Sequence, residues 1–164
     1  MTKGEALSLE LEHESKTTRK LLERVPEGAF GWKPHEKSMS LGQLASHLAE
    51  NPNWVTPILE LEEMSIDPDH KPYIANSSEE LLERFDTNTR QAVETLKSQS
   101  DEDLMKPWRF VAGGEVKMEM PRIGVLRSII LNHTYHHRGQ LSVYLRLNDV
   151  PIPSIYGPSA DEEM

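Results

Sequence analysis

Proline sets the limits on what this chain can fold into. Eleven prolines interrupt its 164 residues, and because each lacks an amide proton and clashes with the preceding helical turn, long helices must lie between them. Four amphipathic stretches fit. The first covers residues 6–25, with Leu7, Leu11, Leu21, Leu22 and Val25 spaced as one helical face, and Pro26 and Gly28 end it. Ser40 is placed to cap the second, which carries Leu41, Leu44, Ala45 and Leu48 and which Pro52 and Pro57 should kink or break after Asn51. Ser77-Ser78-Glu79-Glu80 offers a capping box for the third, whose inner stripe is Leu81, Leu82, Phe85, Ala92 and Leu96. The fourth starts behind Pro121 and can run over residues 122–147 without another proline.

The remaining segments read as connections. Residues 27–40 form an ordered loop whose Phe30 and Trp32 cap the core, and residues 65–76, with Pro68 and Pro72, form a second loop. Trp108-Arg109-Phe110-Val111 and residues 115–120 flank Gly113-Gly114, the pattern of a short hairpin. The expected fold is therefore all-α: a four-helix bundle, one domain over residues 1–164, with a small peripheral β-hairpin and an extended C-terminal tail over residues 148–164.

Composition narrows the chemistry. The chain has no cysteine, which excludes disulfides, thiolate metal sites and a cysteine nucleophile, so a metal would have to be held by imidazole or oxygen. A formal charge of −9 from 18 Lys+Arg and 27 Asp+Glu, with no basic cluster, argues against nucleic acid as a partner. No apolar window approaches the length of a membrane span and no apolar leader opens the chain, so a cytoplasmic setting without membrane attachment is expected.

Histidine then becomes the residue to follow. At about 100° per residue, His133 and His137 fall within about 20° of Leu126 on the apolar stripe of the fourth helix, with Gln140 and Tyr144 on the same stripe. A pair at i, i+4 presents both rings to one point, where they can share a metal; the alternative is two neutral core histidines, each bonded to a backbone group. The third ligand must come from another helix. His47, at the edge of the buried arc of the second helix, is the best placed. His136 points off the stripe, and His13, His35 and His70 read as solvated. Glu14, on the inner arc of the first helix, could be a fourth ligand, a base behind the ligands, or a boundary carboxylate paired with Arg or Lys. Arg138 is expected to point outward, toward an acidic tail or a partner helix.

Three segments together resemble the DinB/YfiT superfamily: Leu44-Ala45-Ser46-His47-Leu48-Ala49-Glu50, the run His133-Thr134-Tyr135-His136-His137-Arg138-Gly139-Gln140-Leu141, and the tail Tyr156-Gly157-Pro158-Ser159-Ala160-Asp161-Glu162. The tail sharpens the likeness toward the DinB branch. The resemblance implies a helical bundle with a long crossover, frequent dimerisation, and a divalent metal on His47, His133 and His137. It also implies the activities known among similar proteins: metal-dependent hydrolysis, or transfer reactions of low-molecular-weight thiols. Imidazole suits zinc, nickel, iron and copper alike; zinc and nickel are expected first, then iron.

The leading expectation is a metal-dependent hydrolase or thiol S-transferase acting on a small-molecule substrate, with Gln140 and Tyr144 lining its pocket, although Tyr144 could equally be core packing. The alternative is a non-catalytic, stress-related dimeric bundle in which the ion only ties helices together. A homodimer is also suggested by Ile129 and Leu131, apolar residues off the inner stripe.

Overall fold

The structure, a computed structural model, describes residues 1–65, 67 and 69–163. The chain is mostly helical with a small three-stranded sheet. Two of the four expected helices are continuous: α1 (Lys3–Leu22) and α4 (Ser78–Lys97). The other two are broken. The second stretch is α2 (Leu41–Glu50), a 3-10 turn (Asn51–Trp54) and α3 (Val55–Glu60), because Pro52 and Pro57 interrupt it where expected. The fourth stretch is α6 (Arg122–Val125), a π-helical segment (Leu126–Asn132) and α7 (His133–Leu147). A short helix, α5 (Asp101–Met105), lies between α4 and the sheet, so more helical pieces exist than the four of the expected bundle.

The caps explain the boundaries. Thr2 Oγ1 accepts from the Glu5 amide at 3.1 Å and Glu5 Oε2 accepts from the Thr2 amide at 2.8 Å, a capping box that starts α1 three residues earlier than its apolar stripe suggests. Ser40 and Gln43 form the same reciprocal pair at α2. At α4 only half of the expected box forms: Ser77 accepts from the Glu80 amide, while the Glu80 carboxylate is held by the Asn76 amide and the Tyr73 hydroxyl. Gly4 lets α1 approach the end of α4, since a Cβ there would stand 2.5 Å from the Leu96 carbonyl oxygen.

The hairpin is β2 (Pro107–Ala112) and β3 (Glu115–Pro121), turned by Gly113 and Gly114 at φ of 61° and 77°, backbone that favours glycine at both positions. A strand not expected from sequence, β1 (Glu63–Ser65), pairs parallel with β2. Three residues with one half-buried methionine carry no alternation by which to find it. Pro68, part of the expected loop, lies outside the described residues.

Two apolar clusters form the interior. Leu21, Leu22, Leu44, Leu48, Phe85, Leu141 and Leu145 build one, and Leu7, Leu11, Val55, Ile58, Leu96, Trp108 and Ile130 build the other. The α2–α3 stretch and the α6–α7 stretch each run from one cluster to the other, and both are irregular at the crossing. Leu131 is buried and Ile129 lines a cleft, so the apolar residues that suggested a dimer surface pack within the chain.

Arg138 pairs with a neighbouring helix and the tail, as expected, but from a buried position: its side chain is 1% exposed and donates to Glu14 Oε2 at 2.7 Å, to the Glu14 carbonyl at 3.1 Å and to the Tyr156 hydroxyl. Tyr135 and Tyr156 stack on its guanidinium at 5.3 and 4.9 Å. The wide angle from the stripe that carries His133 and His137 is real, but that side of α7 faces α1 and the tail. Glu14 is thereby the paired carboxylate among its three alternatives. The tail is docked through this network, through Asp161 on Arg146, and through Glu162 on Arg24 at 2.8 Å.

Arg138→Met should destabilise the protein by about 3–5 kcal/mol in urea unfolding, because it strands a buried carboxylate. Adding Glu14→Leu should recover much of the loss.

Candidate metal centre

His47 lies in the last turn of α2, and His133 and His137 lie in the first turns of α7. The break after Glu50 and the π segment before His133 bring these two helix ends together. Asn51 fixes the junction: its Nδ2 donates to the Ile130 carbonyl at 2.8 Å and to Thr134 Oγ1 at 2.6 Å. The Ile130 carbonyl already accepts from the His133 amide and takes a second, side-chain donor. Asn51 supplies that donor from the turn after His47.

The three rings converge through their Nε2 atoms. His47 Nε2 and His133 Nε2 are 2.7 Å apart, and His137 Nε2 and His133 Nε2 are 2.9 Å apart. Hydrogen bonding among neutral rings does not account for this. Gln140 Oε1 faces His137 Nδ1 at 2.7 Å. A neutral ring nitrogen offers either one proton or one lone pair, so His133 Nε2 can satisfy only one of its two neighbours, whichever tautomers the rings adopt. Three lone pairs directed at one cation remove the conflict. At the usual Zn–N length of about 2.0–2.1 Å, tetrahedral ligand nitrogens stand about 3.3–3.4 Å apart, so the rings need only a small outward adjustment to hold an ion. The donor set fits a divalent transition metal.

Electrostatics favour the neutral, ligating form. Burial lowers the pKa of His47, and the neighbouring His137 lowers it further. Burial, then the charges of His137, His47 and His136, push His133 down to about 4. Burial also lowers His137, against the bond from Gln140. Among the described residues this is the one cluster of at least three potential ligand residues, with all ligand atoms within 4.8 Å of one another.

Two clefts reach the cluster, and His47 and Trp54 line both. One, of 310 Å³, is bordered by Gln43, Glu50, His70 and Tyr73; the other, of 340 Å³, runs under the sheet to His133. Gln140 is exposed and bonded to His137, and Tyr144 packs edge-on against Trp32 with ring centres 5.5 Å apart. Neither borders these two clefts. His136, His13, His35 and His70 are exposed, as expected. Sequence reasoning places Asn51 on the buried arc one turn after His47, as observed, without its bonds to Ile130 and Thr134, and it misses Trp54, Trp108 and Phe110 as neighbours of the site. Trp54 stands within two turns of His47, a signal that was available; the sheet residues gave none.

A lowered histidine pKa has a direct consequence for the metal-free protein. Above pH 6.5 the rings are neutral in both folded and unfolded chains and stability is full. As pH falls below 6.5 the unfolded chain takes up protons first, so stability declines toward pH 4. Thermal midpoints of the metal-free protein should fall between pH 6.5 and 4.5, and His133→Ala should flatten that fall.

The comparisons with known proteins agree with this architecture. The sequence profile of the DinB family matches residues 1–163. The uncharacterized protein YrdA of Bacillus subtilis (strain 168) is 26% identical over 152 residues, 92% of this chain and 86% of that protein. A DinB-like protein from Bacillus cereus ATCC 10987 has a similar structure, with a TM-score of 0.73 at 23% identity over 92% of this chain and 95% of the other. A DinB family protein from Exiguobacterium sibiricum 255-15 superposes with a TM-score of 0.64 at 21% identity, over 91% and 94% of the two chains. No helix among the described residues is long and apolar enough to cross a membrane. With the family profile matched along essentially its whole length, this chain belongs to the DinB family.

Proposed function

We propose that the protein binds a divalent metal ion through His47, His133 and His137 and acts as a metal-dependent hydrolase or a thiol S-transferase on a small molecule. The observation that carries this reading is the meeting of three Nε2 atoms, which neutral hydrogen bonding does not satisfy, at a point reached by two clefts. Held by three neutral donors, a divalent ion keeps its full charge and supplies Lewis acidity, the chemistry that lowers the pKa of a water or thiol toward neutrality. Zinc or nickel is proposed first, iron next. The chain contributes no sulfur nucleophile, having no cysteine, so a low-molecular-weight thiol would enter as cosubstrate. The cytoplasmic setting and the homodimer expected from sequence belong to the same proposal.

The protein's own groups prepare the site. Burial keeps the three rings unprotonated at neutral pH. Gln140 holds His137 with its proton on Nδ1, leaving Nε2 free to ligate. Asn51 keeps the two ligand-bearing helix ends in register. Trp54 and the sheet wall the cleft beside His47 and His133 with apolar side chains.

Untagged protein should contain close to one divalent ion per chain by elemental analysis, and His133→Ala and His137→Ala should contain almost none. Full occupancy in either variant would overturn the assignment. Gln140→Leu should keep the site but weaken metal affinity by about 10–100-fold. Metal-loaded protein should consume a small thiol with an electrophile, or hydrolyse an ester or amide, in a reaction abolished in His137→Ala. Turnover that survives metal removal would refute the mechanism.

A further inference from the structure

The cleft beneath the sheet is walled almost entirely by apolar side chains: Trp54 from the 3-10 turn, Trp108 and Phe110 from β2, Met118 from β3, and Ile129 from the π segment. Its floor is the imidazoles of His47 and His133, and the Asn51 amide beside them is already committed to Ile130 and Thr134. One further polar group lines it, Lys117.

Regular strand alternation would not put Lys117 there. Phe110 pairs with Met118 and Val111 with Val116, so Lys117 has no partner opposite it and forms the extra residue of a β-bulge. A bulge sets two consecutive side chains toward one side of a sheet, and here Lys117 and Met118 border the same cleft. Lys117 pairs with Glu115, but both side chains are at least half exposed, at 51% and 75%, so the pair is readily exchanged for another anion. The other cation of the hairpin, Arg109, instead pairs with Glu63 and Glu119.

We propose that this cleft binds the aromatic body of a small organic anion, whose carboxylate or sulfonate meets Lys117 while its ring lies against Trp54, Phe110 and Met118. Apolar walls with a single charged group are the usual composition of a small-ligand site, and the volume of 340 Å³ suits a molecule of one or two fused rings. The inference names a substrate class for the metal centre proposed above and shares His47 and His133 with it. The bulge is the device that turns a hydrophobic slot into an anion-selective one.

The test uses metal-free protein, so that a carboxylate cannot be held by an ion. Binding of 2-naphthoate and of the neutral 2-naphthylmethanol is followed by tryptophan fluorescence. Both should saturate, and the naphthoate should bind about tenfold more tightly, the order of one charge-assisted contact. Lys117→Gln should abolish the preference and leave the alcohol unchanged, Lys117→Arg should retain it, and Phe110→Ala should weaken both ligands. His137→Ala, which removes one of the proposed metal ligands but does not border this cleft, should keep the preference, which separates this site from metal ligation. Equal affinities in the wild type, a preference that survives Lys117→Gln, or no saturable binding would overturn the proposal. Each of those results leaves the metal content of the wild type as an independent test of the centre itself.

Discussion

One buried carboxamide joins the two helix ends that carry the imidazoles. Asn51 donates from a single nitrogen to the Ile130 carbonyl and the Thr134 hydroxyl, linking the turn after His47 to the turns around His133. Both partners in that junction are irregular. Pro52 prevents α2 from continuing, and the π segment leaves α7 to begin at His133. The link ties the turn after His47 to the turn before His133 across the crossing between the two apolar clusters.

The first turns of α7 divide their work by angle. His133 and His137 turn toward α2, while Arg138, one residue and about 100° further round, turns toward α1. Both terminal nitrogens of its guanidinium are engaged, by Glu14, Thr18 and Tyr156. A buried ion pair of this kind adds little net stability over an apolar substitute, but it tolerates only one geometry. Here it fixes the rotation of α7 about its axis from the face opposite the imidazoles, and it ties the tail to the same point. The ionised pair thus lies on one face of the helix and the three imidazoles on the other.

Much of the helical organisation was legible in the chain. Proline positions and serine caps located α2, α4 and the start of the fourth stretch because those signals act within one turn of themselves. The double glycine located the hairpin for the same local reason. The strand β1 was not legible, since its pairing with β2 joins residues far apart in sequence and its three residues carry no pattern. The role of the hairpin was also hidden. Read as peripheral, it forms the wall of a cleft at His133, and nothing in its alternation says what its inner face covers. The pairing of Arg138 with a neighbouring helix and the tail follows from its angle off the apolar stripe, but its burial does not, because α7 packs on two sides.

The three imidazoles mark the boundary between these kinds of information. Spacing along one helix is covalent and periodic, so the sequence by itself determined that His133 and His137 share a face, and it singled out His47 as the ring from a second helix best placed to join them. Whether those two faces meet depends on how α2 ends, how the π segment displaces α7, and which buried donor bridges them. Those are properties of packing between distant segments. The tertiary structure alone decided that three Nε2 atoms converge at one point, that Gln140 meets Nδ1 of His137, and that a bulged strand carries Lys117 to the rim of the adjoining cleft.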